Sequence, residues 1–308
     1  MTRTSPPMPS PAPPATQPLQ AALWMSGAIL SFSAMAVAGR ALSTDLDTFE
    51  IMMYRSFIGI AVVTLVALAT GNLGRIRFRN LRLHGIRNLA HFAGQNLWFY
   101  AITLIPLAQV FALEFTSPIW VVLLSPLILG ERLTPARALA AAIGFIGILV
   151  VARPSVSAIN IGIVAAASSA ICFALTSMFT KRLTRTENIT SILFFLTTMQ
   201  AFFGFVCAAY DGDIHVPGTA ALPFIVVVGL GGLLAHTCIT KALSLAPATV
   251  VMPVDFVRLP VIAVVGMALY GEALDLWVFL GAAIIFAGNY LNIWTETQGT
   301  RRAARQSA

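Results

Sequence analysis

The chain has 308 residues, 58% of them hydrophobic and only 10% charged, with a net charge of +7. Soluble domains carry roughly a quarter charged residues, so too little polar surface is present to cover a water-soluble globule of this size. The basic residues are not interleaved with aromatics on a soluble face, which favours anionic lipid as their partner and argues against nucleic acid.

Residues 1–19 open the chain with seven prolines among Ser, Thr and Ala, a composition that predicts a disordered cytoplasmic tail. A single Arg3 is too little for the basic region of a signal peptide, so the first apolar run is expected to stay in the mature protein. Ten apolar segments follow, at 21–39, 48–70, 86–104, 107–128, 136–152, 160–180, 189–209, 221–240, 247–270 and 275–294. Each is about 17 to 25 residues long, enough to cross a hydrocarbon core of about 30 Å as helix. The alternating ten-residue strands of a membrane barrel are missing, and the fold class is all-α integral membrane. A basic tail, 296–308, closes the chain. Cys172, Cys207 and Cys238 all lie in apolar runs without ligand spacing, and neither a cofactor nor a metal is expected.

Assigning the loops alternately to two sides, with the N-terminus inside, puts fifteen of the nineteen Lys and Arg residues on one side. The other side receives Arg40 and Arg153 together with Asp45, Asp47, Asp211, Asp213, Glu272 and Asp275, while Arg55 and Arg258 fall within spans. The expectation is a multi-pass protein of a bacterial-type inner membrane with both termini cytoplasmic. The bilayer is then its first partner.

Sliding the sequence against itself by 141 positions, without a gap, brings Pro106 onto Pro247, Val110 onto Val251, Glu114 onto Asp255, Phe115 onto Phe256 and Gly130-Glu131 onto Gly271-Glu272. Phe32 meets Phe173 and Arg40 meets Lys181 in the same register. The chain therefore divides into repeats at 20–154 and 155–295. Five helices in each copy, an odd number, mean that the second enters the membrane from the opposite side. Inverted repeats of this kind suit a carrier that rocks around a site at the midplane.

An ionisable side chain at the bilayer centre costs at least about 2.5 to 3.5 kcal/mol and needs a partner or a wet cavity. Glu114, Asp255, Arg55 and Arg258 stand in that position and are expected to pair: Asp255 with Arg258, three residues on, and Glu114 with Arg55 or Arg258. The third span is the most polar, with His91, Gln95 and Trp98 along one face and Asn96 and Tyr100 about a third of a turn or more away. His236 aligns with Gln95 in the second repeat. These residues predict a substrate path between the third, fourth, eighth and ninth spans, with helix packing as the alternative role. Glycines 144, 147, 281 and 288 predict close packing, either within the chain or between two copies, so monomer and homodimer both stand. No phosphate-binding glycine loop precedes either lysine, which excludes transport driven by ATP bound to this chain.

The stretches Ile105-Pro106-Leu107-Ala108, Ala112-Leu113-Glu114-Phe115-Thr116-Ser117-Pro118, Leu129-Gly130-Glu131-Arg132-Leu133, Pro253-Val254-Asp255-Phe256 and Tyr270-Gly271-Glu272 resemble the EamA-type branch of the drug/metabolite transporter superfamily. The resemblance implies ten helices in two inverted five-helix repeats and export or exchange of small-molecule metabolites, for which the inverted repeats suit alternating access; no enzymatic activity is expected. Within the branch, the overall plan is similar to the YddG-type exporters of aromatic and other neutral amino acids, and cationic drugs are a further class of cargo. Import of a vitamin or nucleobase is the alternative, with a proton as a candidate coupling ion at Glu114. An intramembrane lipid-modifying enzyme is a second alternative.

Overall fold

A computed structural model describes residues 17–130, 133–153, 160–210, 212–246, 251 and 254–306. The tail before Gln17, Glu131, Arg132 and Pro253 lie outside the described residues. All regular structure among the described residues is helical: α1 (Pro18–Leu42), α2 (Thr48–Ala69), α3 (Leu81–Leu104), α4 (Leu107–Glu114), α5 (Ser117–Ile128), α6 (Pro135–Ala152), α7 (Ile161–Leu183), α8 (Ile189–Ala208), α9 (Leu222–Leu245), α10 (Arg258–Tyr270) and α11 (Leu276–Gln306), with a short 3-10 turn at Leu73–Arg75.

Local chemistry sets many of the ends. Asp47 and Glu50 form a reciprocal capping box at the start of α2, and Thr134, Asn160 and Asn188 each accept a backbone N–H at the starts of α6, α7 and α8. Gly71 and Gly130 take left-handed φ values of 65° and 69° after their helices. Their mates 141 positions on, Gly212 and Gly271, do the same at 80° and 64°, so the duplication preserves the stops as well as the spans.

Eight helical stretches are long and apolar enough to span a bilayer, among them Leu107–Ile128, which joins α4 to α5. The third span, α3, carries too many polar groups to register by hydropathy alone, and α10 is short; with these two, ten spans are present among the described residues. Three boundaries depart from the sequence reading. α3 begins at Leu81 and not at 86, because a helix continues beyond the hydrocarbon core. The fourth span breaks at 115–116, just before Pro118, which has no N–H to bond the carbonyl of Glu114 four residues back and suits the first turn of a new helix. The last helix runs on to Gln306, through the expected tail, since Glu, Gln, Arg and Ala there are all good helix formers.

The helices pair as α1 with α9, α3 with α7, α2 with α8, and α6 with α11. Exchanging the repeats swaps the first two pairs and returns the other two unchanged, as a pseudo-two-fold axis requires. Phe115 and its mate Phe256 stack at 4.4 Å with an interplanar angle of 15°, so the axis passes between the broken fourth and ninth spans. The small residues also find their role inside the chain. A side-chain carbon on Gly147 would come within 2.8 Å of the Gly281 carbonyl, and one on Gly288 within 2.7 Å of the Ala140 carbonyl, two contacts that are images of each other. α6 and α11 therefore meet backbone to backbone.

Candidate functional site

The break after α4 leaves Glu114 at a helix end, while α10 starts with Arg258, and the two face each other across the axis. Arg258 donates to Glu114 at 3.4 Å and to Asp255 at 3.2 Å, and Trp98 Nε1 donates to the other Glu114 oxygen at 2.8 Å. The guanidinium also lies over three aromatic rings, Phe32, Phe111 and Phe115, at 4.7, 5.1 and 4.7 Å. At 3% exposure Arg258 is dry, and these contacts replace its hydration. The break frees the Phe115 carbonyl, which accepts from Asn289 Nδ2 at 2.8 Å.

Arg55 is placed differently. The sequence reading offers it as a partner for Glu114, and that expectation is corrected: Arg55 donates to Gln95 Oε1 at 2.5 Å and touches Met52 Sδ at 3.7 Å. α2 packs on α8, α9 and α3, which brings Arg55 to α3 at Gln95, whereas Glu114 meets α3 at Trp98. Those two points are three residues apart, about 4.5 Å of helix rise. Gly232 makes room on α9, since a methyl group there would sit 3.0 Å from Arg55 Nη2.

Arg87, His91, Gln95 and Trp98 follow one another at spacings of four, four and three, so they form one stripe along α3. Arg87, counted above with the basic loop, is buried within the helix and donates to Thr180 and Asn88. His91 has Arg87, Arg55 and His236 as its charged or titratable neighbours, and its buried Nδ1 has no partner. His236 is exposed although Arg55, Arg87 and Arg258 surround it, and it therefore borders an open groove and not packed core. Phe32 meets the His236 ring edge-on at 5.7 Å, and its repeat mate Phe173 lies 6.2 Å from the His91 ring. Phe32, Phe173, His91 and Arg55 all keep part of their surface accessible.

Two expected path residues go elsewhere. Tyr100 is 44% exposed, on a side of α3 turned away from the stripe. Asn96 donates to the Phe92 carbonyl one turn back along its own helix, so at least its donor serves helix packing. Trp98 is buried and acts as a wall that holds Glu114. His84, ahead of the expected start of the third span at 86, is inside α3 with its ring 4.5 Å from Phe195. Ser169 and Thr176 bond carbonyls of α7 itself.

The arginine-poor end is sealed by contacts that the sequence does not announce. Arg40 pairs with Glu272 and donates to the carbonyls of Ile102 and Ile105, the latter at 2.8 Å, and its guanidinium lies 4.7 Å from the Tyr270 ring centre. Glu272 in turn accepts from the Leu107 N–H at 3.0 Å, so one ion pair ties the ends of α1, α3 and α10 to the start of α4. Arg153 pairs with Asp275 nearby. A cavity of about 30 Å³ beside this lock, lined by Pro106, Gln109, Glu272 and Asp275 among others, has room for water. Among the described residues no His, Cys, Asp and Glu cluster has the form of a metal site.

The model of the EamA-like transporter family matches the chain twice, over residues 19–153 and 160–294. A riboflavin transporter of Brucella anthropi is 32% identical over 82% of this chain and 90% of its own length. A riboflavin transporter of Rhizobium johnstonii is 30% identical over 92% of this chain and 94% of its own. An S-adenosylmethionine uptake transporter of Rickettsia felis is 25% identical over 91% and 94%. A solved crystal structure aligns at a TM-score of 0.60 and 23% identity over 89% of this chain and 96% of its own, a likeness of fold alone.

Proposed function

The chain belongs to the EamA-like transporter family, and from that premise we propose that it imports a planar, vitamin-like solute, riboflavin first among the candidates, through the groove between α3 and α9. Export of aromatic amino acids, the leading expectation from the sequence, finds no support among the relatives named above, whereas the vitamin-import alternative does. The observation that carries the reading is the set of four rings at the groove. Phe32 and Phe173 come from equivalent places in the two repeats, each beside an imidazole, and a flat heterocycle could stack between them. Arg55, held by Gln95 Oε1, offers its remaining N–H donors beside that slot. A zwitterionic amino acid would leave most of this aromatic surface unused.

In this reading the Arg40–Glu272 lock closes the arginine-poor end, and the solute enters or leaves by that end when the lock opens. The inverted repeats supply the second state, because exchanging their conformations would open one end and close the other. The Arg258 cluster, dry and paired with both carboxylates, acts as the fixed hinge region.

The test is uptake into liposomes reconstituted with the full chain, comparing riboflavin, S-adenosylmethionine and tryptophan at equal concentration. Riboflavin uptake that saturates, and that excess unlabelled riboflavin but not tryptophan competes away, is expected. Tryptophan flux without riboflavin flux would restore the amino-acid reading and retire this one.

A further inference from the structure

Arg87 and Arg258 are buried and Arg55 half-buried at the centre and arginine-rich half of the bundle, and the two carboxylates within the spans there, Glu114 and Asp255, are both held by Arg258. Among the described residues, neither Arg55 nor Arg87 has a carboxylate within ion-pair distance. Arg87 is at least enclosed, with the Thr180 hydroxyl and the Asn88 amide oxygen as acceptors. Arg55 is the more exposed of the two, with one amide oxygen and a thioether as acceptors, and it keeps accessible surface toward the groove. A guanidinium carries five N–H donors, so most of its donor capacity is unspent. Beside it are the orphaned Nδ1 of His91 and the accessible ring of His236.

We propose that Arg55, with Gln95, His91 and His236 around it, is an oxyanion site, and that the groove takes a carboxylate or phosphate group, borne by the solute or bound as a separate ion. The geometry supports this in three ways. Gln95 Oε1 and Met52 Sδ both meet Nη1, which leaves Nε and Nη2, a fork of N–H groups that can meet two oxygens side by side. Gly232 lets Nη2 lie against the α9 backbone, where a side-chain carbon would come within 3.0 Å of it, so the guanidinium reaches from α3 to α9 across the groove. The two carboxylates that could compete for Arg55 are committed elsewhere, one turn of α3 away. An arginine kept in a membrane interior without an acid is costly, and an incoming anion removes that cost only while it is bound. The position also breaks the repeat: the mate of Arg55 is Leu196, so the duplication supplies the slot twice and the cation once.

The inference rests on the groove being the solute path, and the test separates the two. The thermal midpoint of the purified full chain in detergent is measured against riboflavin, against flavin mononucleotide, its phosphate ester, and against potassium phosphate with potassium chloride at equal ionic strength as the control. The expected result is half-saturation by the phosphate ester at a concentration at least about tenfold below that of riboflavin, as a charge-assisted contact implies. Arg55→Gln should erase that advantage, and Arg55→Lys should keep part of it. Stabilisation by inorganic phosphate alone, lost in Arg55→Gln, supports the oxyanion site even where neither flavin binds, and would make the flavin reading the one that fails. Equal half-saturation by the two flavins, with no effect of phosphate, overturns the oxyanion site while sparing the flavin reading. If Arg55→Gln does not fold, the comparison of the three probes on the natural chain decides by itself.

Discussion

Arg258 and Arg55 both stand within membrane-spanning helices, and the protein treats them in opposite ways. Arg258 has two carboxylates, three aromatic faces and almost no surface. Arg55 has an amide, a thioether and an open side. A buried charge survives in a bilayer either by being neutralised in place or by keeping access to water and solute. The first solution builds a rigid element and the second leaves a group ready to bind, and the difference separates scaffold from site where composition alone does not.

The largest effect expected along this comparison is at the neutralised locus. Arg258→Met leaves Glu114 and Asp255 buried without a cation and should cost about 3 to 5 kcal/mol of stability, the usual penalty for breaking a buried pair from one side. Chemical unfolding in detergent would measure it. Adding Glu114→Gln to the same chain should recover part of the loss, and a double variant no more stable than the single one would show that the cluster is not held by charge.

A third guanidinium sharpens the contrast, because Arg40 is engaged at an end of the bundle and not in its middle. Arg40→Gln removes the partner of Glu272 and two carbonyl contacts, and a cost of about 1 to 3 kcal/mol is expected. Its more telling readout is access: a cysteine at Ala108, beside the lock, should react faster with a water-soluble thiol reagent when Arg40 is replaced. Unchanged labelling would mean that the ion pair does not seal this end.

The smallest effect is expected at Tyr100, which shares α3 with the stripe but not its direction. Tyr100→Phe should change stability by less than about 0.5 kcal/mol and leave uptake as it was. A tenfold fall in flux would place the path on the outer side of α3 and undo the distinction between the two loci.

Much of the fold was readable from residues alone. Apolar length counts spans because a bilayer sets one thickness for all of them, and the 141-residue register marks Glu114 and Asp255, Phe115 and Phe256, and Gly130 and Gly271 before any coordinates are seen. The breaks were only half legible: Pro118 announces the one in the fourth span, but only the structure shows that Asn289, far along the chain, takes the freed Phe115 carbonyl. The site was less legible still. His91, Gln95 and Trp98 emerge from helical spacing, and the repeat flags Phe32 and Phe173 as mates, yet Tyr100 and Asn96 were drawn in by polarity without regard to which way they point.

What the sequence by itself determined is the number of spans, the duplication, its inversion and the positions at which charge enters the membrane. These follow from one-dimensional properties, hydropathy, period and parity, that do not depend on how helices turn about their own axes. The tertiary structure alone decided that Arg55 meets Gln95 and not Glu114, that Arg40 reaches Glu272 across 232 positions, and that Arg87 lies inside the bundle. Each of those outcomes rests on the rotation of one helix against another by a fraction of a turn, and packing of small residues such as Gly147, Gly232 and Gly281 fixes that rotation only once all the spans are together.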